Sequence, residues 1–154
     1  MPRESKKAKA ERAVEVCRRL DNKYGPVECF LDHTNPFRLV ISVLLSAQTT
    51  DAQVNRVTPE LFRRFPTPEA MAAASPEEVA EIIRSLGFYK TKARHCVEAA
   101  QAIVADFGGE VPHTMAELTS LSGVGRKTAN IVLNVSFGIV EGIAVDTHVS
   151  RIAH

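Results

Sequence analysis

Two neighbouring segments near the carboxyl end carry residue types that could act on a phosphate-bearing substrate. The first, LSGVGRKTANIVLN (121–134), contains Gly123 and Gly125 in a predicted tight turn that leads into an apolar helix. Glycine can adopt a positive φ and lets the backbone approach a ligand closely. The amides at the start of a helix form an anion site that often holds phosphate. We therefore expect this turn to bind a phosphate group.

A lysine and a carboxylate lie at the edge of this turn. Lys127 opens the apolar helix, and Asp146 ends the apolar run of GIAVDTHVSRI (142–152) and precedes another helix. A lysine in such a turn commonly contacts a phosphate, although a deprotonated lysine is also a nucleophile. An aspartate before a helix is commonly an N-cap, and a capped carboxylate can also stabilise positive charge. The residue types alone leave both pairs of roles open.

Helical patterns extend over nearly the whole chain and predict an all-α fold. Residues 4–24 have apolar positions at helical spacing, and the stretch 90–107 has another apolar face. Pro59 is expected to interrupt the helix that follows Asp51. Capping signals begin four further helices, and they are Asn35-Pro36, Thr67-Pro68, Ser75 with Glu78, and Thr114 with Glu117.

Four sequence blocks, in order along the chain, carry a family resemblance. LLSAQTTD (44–51), GFYKTKA (87–93), LSGVGRKTA (121–129) and VDTHV (145–149) resemble the signatures of endonuclease III, a branch of the helix–hairpin–helix DNA glycosylases. A hairpin motif alone is weak evidence, because many DNA-binding proteins contain one. The four blocks together are specific to the family, although Ser122 stands where many relatives have proline.

The resemblance implies a catalytic role for two residues. In lyase-competent relatives the lysine at the position of Lys127 attacks C1′ of a flipped nucleotide, displaces the base and forms a Schiff base. β-Elimination then cuts the strand. Asp146 matches the aspartate that stabilises positive charge on the sugar and assists deprotonation. His148, beside it, has no second ligand at a suitable spacing, so we predict a structural hydrogen bond and no metal site.

The resemblance also implies residues that bind DNA without reacting. Gln48 matches a glutamine that enters the space left by the flipped nucleotide, and Phe88 matches a wedge position that is usually aliphatic. Their alternatives are a polar residue at a helix end and a core phenylalanine. The residues expected to bind a backbone phosphate are Gly123, Val124, Gly125, Arg126 and Thr128.

Relatives of this kind have two lobes, and the resemblance divides the chain accordingly. Residues 1–26 match an amino-terminal helix of the second lobe, and residues 27–138 match the six-helix barrel lobe, with the hairpin at about 114–137. Residues 139–154 match the start of the return into the second lobe. We therefore expect an incomplete second lobe, with the chain truncated before the iron–sulfur cluster region.

Composition bounds cofactors and location. The chain has 154 residues, a net charge of +1 and three cysteines, with no signal-peptide or membrane-spanning segment. Cys17 and Cys96 are predicted to be buried thiols on apolar helix faces, and no cysteine spacing suggests a metal site. No cofactor is expected in this chain, whereas relatives carry a [4Fe–4S] cluster on cysteines that would lie beyond His154. A cytoplasmic, nucleoid-associated monomer is expected.

The function that these inferences favour is base-excision repair. The chain is predicted to be a bifunctional glycosylase and abasic-site lyase that acts on oxidised pyrimidines in duplex DNA. One alternative is a non-catalytic, hairpin-containing DNA-binding fragment, because loss of the second lobe would remove support for Asp146. The other alternative is the adenine-mismatch glycosylase branch, in which the position of Lys127 commonly holds a non-nucleophilic residue.

Overall fold

The computed structural model describes residues 4–153, and every regular element in this range is an α-helix. The predicted all-α class is confirmed. Residues 1–3 and 154, at the ends of the predicted terminal segments, lie outside the described range. The helices of the described range are α1 (Lys6–Tyr24), α2 (Pro36–Leu45), α3 (Asp51–Arg64), α4 (Pro68–Ala72), α5 (Pro76–Ile82), α6 (Tyr89–Phe107), α7 (Met115–Ser120), α8 (Arg126–Phe137) and α9 (Thr147–Ala153).

The helices begin where side chains satisfy their first backbone amides. At α5, Ser75 Oγ accepts a hydrogen bond from Glu78 N at 3.3 Å, and Glu78 Oε2 accepts one from Ser75 N at 2.9 Å. This is the predicted capping box. At α7 the prediction is half right, because Thr114 accepts from Glu117 N but Glu117 Oε2 accepts from the Thr114 hydroxyl and not from its backbone. The cap of α3 is Thr50, and Asp51 is the first residue of the helix.

Helix α3 passes through Pro59 without interruption, so the predicted break is wrong. Proline removes the hydrogen bond that its amide would donate to the carbonyl of Asn55. Both residues lie on the exposed face of α3, where water can solvate that carbonyl. On the opposite face, buried Val57 and Leu61 lie on either side of the proline in sequence and fix both halves of the helix to the core.

The core is built around α2, which buries residues on every side. Helices α3, α6 and α8 pack against α2, while α4 and α5 pack against α6, and α7 packs against α8. None of the helices in residues 4–153 combines the length and apolar character that a membrane crossing requires. The largest side chains buried completely include Leu39, Ile41, Leu45, Leu61, Met71, Ile83, Ile103, Leu118 and Leu133.

The first and last helices contribute no buried residue. On α1 the predicted apolar face is exposed, with Val14 70% and Leu20 50% accessible. Cys17 is exposed with it, so the prediction of a buried Cys17 is wrong. Helical periodicity identifies an apolar face but does not identify what covers it. Cys96 on α6 is buried as predicted, and burial raises the pKa of its thiol to about 12.

Candidate active site

Buried apolar side chains anchor the turn between α7 and α8 to the core. Leu121 and Val124 are buried, and the Val124 amide donates to the Leu121 carbonyl at 3.1 Å. Gly123, at the outside of the turn, has φ +75°, and a Cβ there would lie 2.8 Å from Nδ1 of His95 on α6. Only glycine therefore fits at this position without a rearrangement. The turn rests directly on α6.

Helix α8 begins at Gly125 without a side-chain cap. Gly125 has an extended backbone with φ −93°, which any residue can adopt. In contrast to Gly123, position 125 therefore does not require glycine for its backbone conformation. The Ala129 amide donates to the Gly125 carbonyl at 2.9 Å, and the first-turn amides before it have no helical acceptor. Arg126 and Lys127 are exposed on this turn. The result is an uncapped, positively charged helix start, which is the geometry of an anion site.

Lys127 borders an open cleft of about 390 Å³ between α8 and the segment that leads to α9. Asn130, one turn after Lys127, also lines this cleft. Its Nδ2 donates to the Ile143 carbonyl at 3.5 Å, and its side chain packs against Gly142. Asn130 Oδ1 is buried and has no partner within residues 4–153. The residues lining the cleft are Arg126, Lys127, Asn130, Gly142, Ile143 and Val145.

Asp146 caps α9. Its Oδ1 accepts a hydrogen bond from Val149 N at 2.8 Å, and its carbonyl accepts one from Ser150 N at 2.9 Å. The bond from Val149 holds the pKa of the Asp146 carboxyl below its usual range, and electrostatic interactions with His148 and Lys127 act in the same direction. The capping role is therefore present in the structure. The carboxylate is also ionised and within the electrostatic reach of Lys127.

Gln48 and Phe88 share an unusual backbone conformation. Their φ angles are +51° and +56°, and within residues 4–153 they are the only non-glycine residues with positive φ. A left-handed conformation costs a residue with a Cβ about 1–2 kcal/mol, and such strain is concentrated at functional sites. Phe88 is 69% exposed, so its alternative as a core phenylalanine is wrong. Gln48 is exposed in the turn between α2 and α3.

The predicted site residues therefore form two groups. Lys127 and Arg126 of the hairpin line one cleft, and Asp146 lies next to Val145 at the edge of that cleft, within electrostatic range of Lys127. Gln48 and Phe88 occupy two other turns, and Lys92 of α6 links the Gln48 turn to the first turn after Phe88. Lys92 Nζ donates to Thr49 Oγ1 at 2.6 Å. The sequence analysis singled out neither Asn130 nor Lys92. Asn130 lies three residues after Lys127, and this helical spacing was the available signal; for Lys92 the signal was a lysine on the apolar side of α6.

Metal-binding residues are not brought together. In the range 4–153 no group of three or more His, Cys, Asp or Glu residues could hold an ion. Cys17 is exposed, Cys29 half-buried and Cys96 buried, so the cysteines present do not fit an iron–sulfur cluster. The side chain of His148 is exposed and forms no hydrogen bond within the described residues, contrary to the structural role predicted for it.

Comparisons with known proteins agree with this arrangement. Residues 41–154 match the HhH-GPD superfamily of base excision DNA repair proteins. The chain is 46% identical to endonuclease III of Synechocystis sp. over 95% of its length, and 48% identical to that of Bacillus subtilis over 91%. It spans 67% and 64%, respectively, of the lengths of these two relatives.

A solved structure gives the same result at the level of the fold. The structure of a trapped covalent intermediate of endonuclease III with DNA, an estranged-adenine complex, superimposes with a TM-score of 0.86 and is 44% identical. The match covers 93% of this chain and 67% of the solved one. The family match, the relatives and the fold agree, and the chain belongs to the HhH-GPD superfamily of base excision DNA repair proteins.

Proposed function

We propose that the chain acts as a DNA glycosylase and abasic-site lyase in which Lys127 is the reacting amine, and that its substrate is an oxidised pyrimidine in duplex DNA. The observation that carries this proposal is the uncapped start of α8, where Lys127 lies in the first turn and borders a cleft shared with the segment that leads to Asp146. The Asp146 carboxylate lies within electrostatic range of Lys127. Together these features supply a nucleophile, a compensating negative charge and a phosphate site.

The reaction begins with the amine of Lys127 in its neutral form. The nitrogen forms a bond to C1′ while the bond from C1′ to the base breaks and the base leaves with the electron pair. Loss of the nitrogen proton and opening of the sugar ring give a protonated Schiff base. Removal of a C2′ proton then expels the 3′ phosphate and cuts the strand. The Asp146 carboxylate stabilises the positive charge and can accept a proton.

The hairpin turn holds the DNA in register for this chemistry. The amides from Gly125 to Thr128 face a backbone phosphate, Gly123 and Gly125 let it approach, and Arg126 adds charge. These contacts position the DNA but do not read its sequence. Their strength is expected to fall steeply as the salt concentration rises, because phosphate binding releases counterions.

Gln48 and Phe88 occupy the gap left by the flipped nucleotide. Extrusion of a base costs stacking and pairing energy, and side chains that fill the gap stabilise the opened duplex. Gln48 can hydrogen-bond the base that lost its partner, and the Phe88 ring can stack against a neighbouring base. Both side chains are exposed and extend from turns, which supports this role.

The comparisons support this proposal in two further respects. The two relatives are endonuclease III proteins, and one solved neighbour is a covalent intermediate with DNA. Lys127 also favours the lyase over the adenine-mismatch branch. We further propose the two-lobe division at residues 1–26, 27–138 and 139–154, monomeric action on chromosomal DNA at the nucleoid, and a [4Fe–4S] cluster on cysteines beyond His154 in the longer relatives.

A second candidate function is a DNA-binding module without turnover. It is favoured by one observation, the absence of any buried residue in α9. Asp146 is held at the start of a seven-residue helix, which is marginal without packing partners. A misplacement of about 1 Å can lower a rate about a hundredfold. We therefore expect weaker turnover from this chain than from the endonuclease III relatives, of whose lengths it spans 67% and 64%.

Borohydride trapping separates the two candidates. The chain is incubated with a duplex that contains one abasic site, and borohydride reduces any Schiff base to a stable covalent adduct. The lyase proposal expects an adduct with the wild-type chain and none with Lys127→Ala. Salt-sensitive DNA binding without an adduct would establish the binding module instead.

A further inference from the structure

Lys92 is the only charged side chain among the buried residues of the described range. It lies on the first turn of α6 and is 5% exposed. Lysine is almost never fully buried unless an acidic group pairs with it. None of the ion pairs formed by residues 4–153 includes Lys92. A buried ammonium without a carboxylate requires an explanation other than charge pairing.

The hydrogen bonds of Lys92 join two turns that are distant in sequence. Its Nζ donates to Thr49 Oγ1 at 2.6 Å, across 43 positions of the chain. Its backbone amide donates to the Phe88 carbonyl at 3.0 Å. Thr49 directly follows Gln48. The bond to the Phe88 carbonyl is the first backbone hydrogen bond of α6, whereas the bond to Thr49 depends on the lysine side chain. The Lys92 side chain therefore links the turn that carries Gln48 to the helix start that follows Phe88.

Both turns need to be held. Gln48 and Phe88 have left-handed backbones, and such conformations persist in residues with a Cβ only where the surroundings impose them. The side chains of Gln48 and Phe88 are both exposed, so their own burial does not fix these backbones. The buried Lys92 side chain fixes the Gln48 turn to the first turn of α6, directly after Phe88.

Fold stability does not account for the buried ammonium. Burial lowers the pKa of Lys92, which means that the site disfavours the charge. Even a buried ion pair can often be replaced by apolar side chains of similar volume without loss of stability, and Lys92 has no carboxylate partner within residues 4–153 to offset its desolvation. The contribution of the Lys92–Thr49 bond must then be sought in the geometry that it fixes.

We propose that Lys92 is a positioning residue for the opened duplex: its bond to Thr49 fixes the Gln48 turn against Phe88, so that both side chains enter the DNA gap together. Lys92 itself does not contact the reacting atoms. Lys92 affects the preference for DNA with a gap over intact DNA, and it does not affect the general affinity for the DNA phosphate backbone. This inference rests on the proposed function, since it assumes that Gln48 and Phe88 fill the gap.

The test measures the affinity of the 154-residue chain for two duplexes. One contains a tetrahydrofuran abasic analogue opposite 2-aminopurine, and the other is intact. The ratio of the two affinities reports the preference for a gap, and the 2-aminopurine fluorescence reports the environment of the orphaned base. Lys90→Met is the matched control, because Lys90 is an exposed lysine on the same turn of α6.

The proposal expects Lys92→Met and Thr49→Val each to lower the affinity ratio about tenfold, the size expected for a hydrogen bond to a charged group. The double variant should lose no more than either single variant, because one bond is removed in each case. Thr49→Ser keeps the hydroxyl and should keep the ratio and the fluorescence change. Lys90→Met should keep the ratio, and the melting temperature of Lys92→Met should equal or exceed that of the wild type.

Several results would overturn the proposal. One is an unchanged affinity ratio in Thr49→Val. Another is a double variant whose affinity ratio falls by the sum of the two single effects. A third is a Lys92→Met variant in which a lower melting temperature accompanies the lower affinity ratio. A wild-type ratio near one would overturn the proposed gap-filling function together with this inference. A clear wild-type preference that Lys92→Met and Thr49→Val both retain would overturn this inference alone.

Discussion

Helices α2 and α1 differ in what surrounds them. The ten residues of α2 include eight that are buried, whereas none of the nineteen residues of α1 is buried, and none of those of α9. Helix α2 is apolar nearly throughout, whereas α1 has one apolar face among many charged residues, and within residues 4–153 that face is left exposed. Lys127 belongs to α8, which packs on α2, and Asp146 precedes α9. The proposed chemistry therefore combines an anchored half with an unsupported half.

The largest expected effect is on stability and contrasts two leucines. Leu45→Ala in α2 removes a completely buried side chain and is expected to lower the free energy of unfolding by about 2–5 kcal/mol. Leu20→Ala in α1 removes a side chain that is 50% exposed and should cost about 0.5 kcal/mol or less. Urea denaturation measures both. Equal losses would mean that α1 is packed in solution and that the two regions do not differ.

The next effect concerns the charge of Asp146 in the unsupported half. Asp146→Asn keeps an N-cap residue for α9 but removes the negative charge, so adduct formation should fall about a hundredfold with little change in stability. Asp146→Ala removes the cap as well, so its rate of adduct formation should be lower still. The rate of borohydride-trapped adduct formation is the measurement. An Asn variant as fast as the wild type would leave Asp146 with its capping role alone.

Two glycines of the anchored hairpin provide a smaller contrast. Gly123→Ala places a Cβ 2.8 Å from His95 in a backbone with φ +75°, and about 1–3 kcal/mol of stability should be lost together with DNA affinity. Gly125→Ala meets nothing within 4 Å in an extended backbone, so its stability should be unchanged. Thermal unfolding measures the stability of each variant, and binding to an intact duplex measures its DNA affinity. If both variants were equally stable, His95 would not support the turn.

The smallest expected effect is the titration of Asp146. Because its folded-state pKa is lowered, the stabilisation it gives α9 is present above the ordinary aspartate range and is lost as pH falls through the lowered value. In NMR, the carboxyl of Asp146 should titrate below its ordinary value, and the Val149 amide should shift with it. An ordinary value would mean that the bond from Val149 does not persist in solution.

Local signals in the sequence predicted much of the helical framework. Ser75 with Glu78 marked the start of α5 because their hydrogen bonds are made within four residues. The predicted break at Pro59 was wrong because burial of the opposite face of α3 fixes the helix, and that burial depends on tertiary packing. The predicted burial of Cys17 was wrong for a related reason, since the apolar pattern of α1 does not reveal whether another element covers its apolar face.

The candidate site was predictable to the extent that motifs carried it. Lys127 and Asp146 followed from two short blocks, and their roles remain proposals. The left-handed backbones of Gln48 and Phe88 were not predictable, because neither is a glycine and the long-range contact from Lys92 that joins their turns spans 43 positions. Asn130 was missed because its bond to Ile143 depends on how the chain returns after α8.

The central claim is that Lys127, held by the anchored half, is the amine that bonds to the sugar. Its most direct test is peptide mapping by mass spectrometry of the borohydride-reduced adduct formed with abasic-site DNA. The account predicts that the sugar remnant is attached to the peptide that contains Lys127, and that no adduct forms with Lys127→Ala. A remnant on another amine, Lys92 or the amino terminus included, would contradict it.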